Sequence, residues 1–136
     1  MVVIIKAVYY AAAASTAIAG ILHLVQATGV LRFSLNFFIF FTLAGIAQIL
    51  WVVPIIRRWR RNPWYYIGIG GTIVLIILFV ITRLPNNPIT GRAFPTSSMA
   101  IAIEVLQAAF IGLTVTIIIY ERRRRRLSGK TASETA

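Results

Sequence analysis

The sequence predicts an all-α fold, an integral membrane four-helix bundle with the N-terminus and the C-terminus both cytoplasmic. Three observations lead there: an apolar composition, four apolar stretches of spanning length, and a one-sided distribution of arginine. Of 136 residues, 59% are hydrophobic and 12% are charged, whereas a soluble domain carries about 25% charged residues. Mean hydropathy is +0.84. So much apolar surface exceeds what one small core encloses, which excludes a soluble enzyme and a disordered chain. Cysteine is absent, which excludes a disulfide scaffold, thiolate metal sites and iron–sulfur clusters.

A bilayer core about 30 Å thick is crossed by about 20 apolar residues in helix. The first such stretch covers residues 4–31, with Lys6 near its start and His23 near its end. Lys6 followed by Ala11–Ala14 also has the outline of a cleaved signal peptide. The apolar pattern runs on through Ile21, Leu22, Leu24 and Val25, which favours a retained span. The second stretch, 33–56, holds no charge before its end. The third, 64–83, is mostly Gly, Ile, Val, Leu and Phe, and Pro63 suits its first turn. The fourth, 97–120, carries one acid, Glu104. Together they form a single domain over residues 1–126, with 127–136 polar enough to be a disordered cytoplasmic tail.

Orientation follows from the basic residues. Arg57, Arg58, Arg60 and Arg61 fill the loop after the second span, and Arg122, Arg123, Arg124, Arg125 and Arg126 with Lys130 follow the fourth. Only Arg32, Arg83 and Arg92 fall on the other side. The positive-inside rule then places both termini in the cytoplasm of a cell carrying the protein in its plasma membrane. Trp59, Trp64, Tyr65, Tyr66 and Tyr120 beside the arginines form an aromatic belt. The arginine runs read as topology signals resting on anionic headgroups, and not as a nucleic-acid surface despite the net charge of +11. On the other side, the connection from Leu84 to Pro95 is rich in Pro, Gly and Asn, which predicts an ordered cap of turns.

Few polar residues lie inside the spans, and such residues usually face a bundle interior. His23 and Gln26 share one face of the first helix, and Glu104 and Gln107 share one face of the fourth. A rise of 1.5 Å per residue puts His23 roughly 9 Å and Glu104 roughly 6 Å outward of their helix centres. Arg83 joins them from the third helix. His23, Gln26, Glu104, Gln107 and Arg83 thus form the candidate ligand or proton site. A purely structural contact between the helices and a metal site remain alternatives. For a metal, His23 and Glu104 supply two ligands where zinc or copper takes three or four, and no cofactor is required by the sequence. Small-residue runs on the same faces predict close helix packing through Thr16, Gly20, Gly45, Gln48, Gly68, Gly71, Ala108 and Gly112. No catalytic constellation is present: aspartate is absent and no carboxylate pair or Walker loop occurs.

His23, Gln48 with Trp51, the run Thr82-Arg83-Leu84-Pro85, then Gly91, Pro95 and Glu104 give the chain a further likeness. It resembles small four-span membrane proteins of ammonia-oxidising archaea and some actinobacteria, which share a helix-1 histidine, a helix-2 glutamine or glutamate and a Thr-Arg…Gly…Pro outer loop. The resemblance implies the four-span fold and no activity. Its setting suggests an accessory subunit of a membrane oxidase such as archaeal ammonia monooxygenase. The expected role is therefore a non-catalytic subunit of a larger membrane complex, its partners being lipid, other membrane subunits or further copies of itself. The alternative is a small proton or cation transporter, or an outer-face ligand- or metal-binding protein using His23 and Glu104.

Because the chain lacks cysteine, single cysteines report topology cleanly. Arg92→Cys should react with an impermeant maleimide added to intact cells, and Ser128→Cys only after lysis; the reverse pattern would invert the orientation.

Overall fold

The computed structural model describes residues 2–58 and 62–134. It is all-α: α1 Val2–Val30, α2 Leu35–Leu50, α3 Val52–Ile56, α4 Asn62–Arg83 and α5 Ser98–Glu134. Four stretches are long and apolar enough to cross a membrane: Val3–Val30, Leu35–Ile56, Pro63–Arg83 and Ser98–Ser128. Large apolar side chains such as Ile21, Leu43, Ile67, Val74 and Val105 are exposed on all of them, the inverse of a water-soluble bundle and the arrangement lipid requires. Trp59, Arg60 and Arg61, expected in the headgroup belt, and residues 135–136 lie outside the described residues.

Local chemistry explains the helix limits. α1 opens on β-branched Val2, Val3, Ile4 and Ile5, and the alanines that favour helix, Ala11–Ala14, Ala17 and Ala19, lie in its interior. At the start of α2 the Ser34 hydroxyl accepts from the Phe37 amide at 3.4 Å, and at the start of α5 Ser97 accepts from the Ala100 amide at 3.1 Å, satisfying amides that have no partner within the helix. The second span was expected as one helix over 33–56, yet it breaks at Trp51. Pro54 explains the break: it has no N–H to offer the Leu50 carbonyl, and its ring crowds that carbonyl. The expected disordered tail from 127 is also corrected, since α5 continues to Glu134. Extending an existing helix needs no new nucleus, arginine, leucine and lysine favour it, and Arg125 meets Glu121 one turn back at 3.7 Å.

α1 is the central helix, packed against α2 on one side and α5 on the other; α4 packs on α5, while α2 and α4 make only sparse contact. The α1–α2 crossing is close enough that a Cβ on Gly20 would lie 2.7 Å from the Gly45 carbonyl oxygen, and a Cβ on Gly45 equally near the Gly20 oxygen. Thr16 Oγ1 donates across the same crossing to the Gln48 carbonyl at 3.1 Å. The apolar core lies towards the arginine end, around Ala12, Ala13, Ile55, Tyr65, Phe110 and Ile117. There the Trp51 indole rests on Gly68, with its ring 5.9 Å from that of Trp64. α2 and α4 thus touch at one end and separate at the other.

Of the residues expected to pack helices, Thr16, Gly20, Gly45, Gln48 and Gly68 are buried. Gly71, Ala108 and Gly112 are exposed, and a Cβ on either of these glycines would meet nothing within 4 Å. These three do not pack within the chain, because the helices that could cover them sit on the opposite faces of α4 and α5.

Gly20→Leu should destabilise the bundle by about 1–3 kcal/mol through overpacking, read by titration with a denaturing detergent in mixed micelles. Gly70→Leu, at a position with open space around it, should leave stability unchanged.

Candidate functional site

Where α2 and α4 part, the four spanning helices enclose a cavity of about 890 Å³. Its walls are largely aromatic: Phe33, Phe37, Phe40 and Phe41 on one side, Phe79 on another, and Phe94 from the loop above. Its polar groups are His23 and Gln26 from α1, Thr82 and Arg83 from α4, and Glu104 from α5, with Ser34, Thr90, Arg92 and Ser97 towards the loops. Such a concave, mainly apolar space with a few convergent polar groups is the usual form of a small-molecule site.

His23 is buried, 5% exposed, and its orientation follows from two acceptors. Nδ1 lies 3.0 Å from the Ala19 carbonyl oxygen and 3.0 Å from Gln48 Oε1. A backbone carbonyl only accepts, so the proton sits on Nδ1 and is shared between the two oxygens. Nε2 then carries a free lone pair on a ring that lines the cavity and lies 5.8 Å from the Phe41 ring. Gln48, read from sequence as a packing residue, is therefore what orients the histidine, in the manner of outer residues that fix a histidine tautomer at a metal.

Glu104 lines the cavity with no hydrogen bond or ion pair within the described chain. Arg83 acts on it through space without touching it. The guanidinium is held by its own helix instead: Nη1 donates to Thr82 Oγ1 at 2.8 Å, and the group lies 4.2 Å over the Phe79 ring. This stacking places the cation at the wall and leaves its buried Nε without a partner among the described residues. Arg83 and Arg92 thus both line the cavity with Glu104, and among the described residues neither forms an ion pair with it.

The loop between α4 and α5 forms the roof, and Asn87 organises it. Its Nδ2 donates to the Leu84 and Arg92 carbonyls at 2.9 and 3.0 Å, while Oδ1 accepts from the Ile89 and Thr90 amides at 3.1 and 2.8 Å. The Phe94 amide then returns to the Thr82 carbonyl at 2.9 Å, and its ring meets Phe37 edge-on at 5.1 Å. An Asn side chain that replaces backbone partners in this way makes a turn-rich segment into a fixed cap.

His23, Gln26, Arg83 and Glu104 thus come together, and Gln107 does not join them: it is 1% exposed, outside the cavity lining, and neither amide atom has a partner among the described residues. Among the described residues, no group of three His, Asp or Glu side chains converges as a metal site would require. Sequence reasoning passed over the phenylalanine walls, because Phe in an apolar span looks the same facing lipid or facing a cavity. It also passed over a second cluster at the arginine end. There Tyr9 donates to Glu121 Oε1 at 2.5 Å, the Arg58 guanidinium lies 5.0 Å over the Tyr9 ring, and Tyr65 is buried beside them. Glu121, an acid closing an apolar span just before five arginines, was the available signal. Compared with known proteins, the chain matches no family model, no curated protein and no solved structure.

In nitrogen-15 NMR of histidine-labelled protein, His23 should show its proton on Nδ1 and none on Nε2. Gln48→Leu should lower stability by about 0.6–2 kcal/mol, the range for a hydrogen bond between membrane helices.

Proposed function

We propose that this multi-pass protein binds a small, mostly apolar molecule with a polar head in the cavity between its four spans, oriented so that the arginine-bearing end lies in the cytoplasm of the plasma membrane. The observation that carries this reading is Glu104: an unpaired carboxyl facing about 890 Å³ of aromatic-walled space. Groups of this kind inside a membrane span are costly and generally mark a ligand or ion site. The phenylalanine walls suit an apolar body, while His23 Nε2 accepts and Arg83 donates to its head. The loop fastened by Asn87 covers one end, so exchange runs through the gap between α2 and α4, where a lipophilic molecule arrives from the bilayer itself.

A second reading has its own observation. Gly70, Gly71, Ala108 and Gly112 are exposed on α4 and α5, and small residues on lipid-facing helix surfaces allow another helix to approach closely. They favour a non-catalytic accessory subunit of a larger membrane complex, of which the archaeal oxidase suggested by the resemblance is one example. The two readings are compatible.

One experiment addresses both. The chain is isolated in native lipid nanodiscs and its contents are identified by mass spectrometry. A small apolar molecule should accompany the wild type, fall in Glu104→Gln and fall in Ala100→Trp, which takes up part of the cavity from a lining position. An empty wild type sinks the ligand reading, and a chain found alone or only with its own copies sinks the subunit reading.

A further inference from the structure

The polar atoms that the cavity wall leaves unused decide which head a bound molecule can carry. His23 holds its Nδ1 proton between the Ala19 carbonyl and Gln48 Oε1, so Nε2 can only accept. Glu104, on the helix packed against α1, lines the same space with no hydrogen bond or ion pair among the described residues, and a carboxylate likewise only accepts. The two lie at similar depths, roughly 9 and 6 Å outward of their helix centres. Arg83 adds a donor from α4: Nη1 is taken by Thr82, while the buried Nε has no partner among the described residues. The wall therefore offers two acceptors from neighbouring helices and one cationic donor.

Each common kind of head meets this set differently. A ketone, ester or ether only accepts, so it leaves His23 Nε2 and Glu104 both unmatched, and an unmatched buried group costs more than a made hydrogen bond contributes. An ammonium would pair with Glu104 but share the space with Arg83; a carboxylate or phosphate would pair with Arg83 but face Glu104. Either way a further charge is taken out of water beside a like one, without a partner of its own. Arg92 also lines the cavity but is exposed, so solvent screens its charge. A hydroxyl is uncharged, donates one hydrogen bond and accepts others. Two hydroxyls give their protons to His23 Nε2 and Glu104, and their oxygens accept from the Arg83 guanidinium.

We propose that the cavity binds a flat, uncharged, lipid-soluble molecule with two hydroxyl groups on a ring and a single alkyl chain, an assignment that rests on the ligand reading of the same site. The ring follows from the walls. Phe37 meets Phe94 edge-on at 5.1 Å and Phe40 meets Phe41 edge-on at 5.3 Å, so ring edges and faces both border the space, and a further ring packs against them in the same geometry. About 890 Å³ amounts to roughly 30 water volumes, which holds a ring with one chain. The Asn87 loop closes one end, so the chain trails into the gap between α2 and α4 while the hydroxyls turn inward to His23 and Glu104. Binding makes and breaks hydrogen bonds alone.

The test uses the full chain, nitrogen-15-labelled at histidine, in phosphatidylcholine nanodiscs with dodecylresorcinol as the probe. Retained probe is measured by mass spectrometry against empty discs, and because His23 is the only histidine, its Nε2 resonance reports the site directly. Dodecylresorcinol should be retained over empty discs and should move Nε2 upfield, as acceptance of a hydrogen bond does. Its dimethyl ether keeps ring and chain but has no proton to donate; it should bind about tenfold more weakly and leave Nε2 unmoved. Glu104→Leu should weaken the diol about tenfold and leave the ether unchanged, while Val105→Ala, on the exposed face, should bind both like the wild type. An ether bound as tightly as the diol, or dodecylamine or dodecanoate bound more tightly than either, overturns the hydroxyl assignment and leaves the ligand reading standing. Retention of no probe at all overturns the assignment and the ligand reading together. If Glu104→Leu does not reconstitute, the wild-type resonance decides: an Nε2 shift with the diol alone supports the proposal, and equal shifts or none overturn it.

Discussion

Because Gly20 and Gly45 carry no side chains, α1 and α2 meet backbone to backbone, and the positions of the polar groups follow from that contact. A Cβ on either glycine would fall 2.7 Å from the other's carbonyl oxygen, so nothing larger fits without moving a helix. At this separation Thr16 reaches the Gln48 carbonyl, and Gln48 Oε1 reaches His23 Nδ1 at 3.0 Å. The tautomer, and with it the free nitrogen facing the cavity, depends on a contact made by atoms that are not there. Helix association in lipid has no hydrophobic driving force of its own, so close packing of small residues and hydrogen bonds between helices must supply it.

The shape of the cavity has a second cause, the break in the second span. Pro54 interrupts the hydrogen-bond ladder, and at the break the Trp51 indole is set against Gly68. That contact draws α2 and α4 together near the arginine end. Beyond it they separate, and the gap is walled by phenylalanine and roofed by the loop that Asn87 holds. Every backbone group in lipid needs an internal partner: at the break the Trp51 amide still donates to the Ala47 carbonyl at 3.0 Å, and in the loop Asn87 supplies partners with its own side-chain amide.

Charge is distributed unevenly between the two ends. At the arginine end Glu121 is engaged, by Tyr9 at 2.5 Å and Arg125 at 3.7 Å. At the cavity end Glu104 and Arg83 face the same space without joining, because Arg83 is occupied by Thr82 and the Phe79 ring. The engaged acid closes its end of the bundle, and the unengaged one leaves a group able to meet something from outside the chain.

The all-α class, the four spanning stretches and the nearness of His23, Gln26, Arg83 and Glu104 were legible in sequence, because hydropathy is additive along a chain and helical periodicity assigns faces. Where local cooperativity outweighs polarity, that reading failed: the polar tail after 127 is helix to Glu134, since a helix already formed extends at little cost. The cavity was not legible, because its phenylalanines carry the same hydropathy whether they face lipid or an internal space. Nor was the role of Gln48, or the partner of Glu121, since both depend on the register between helices. By itself, then, the sequence determined which segments form helices apolar enough for lipid and which polar groups they carry, since burial in lipid is selected residue by residue. Only the tertiary structure decided which of those groups meet, because an approach set by two glycines and a tryptophan is a property of pairs of helices and of no single one.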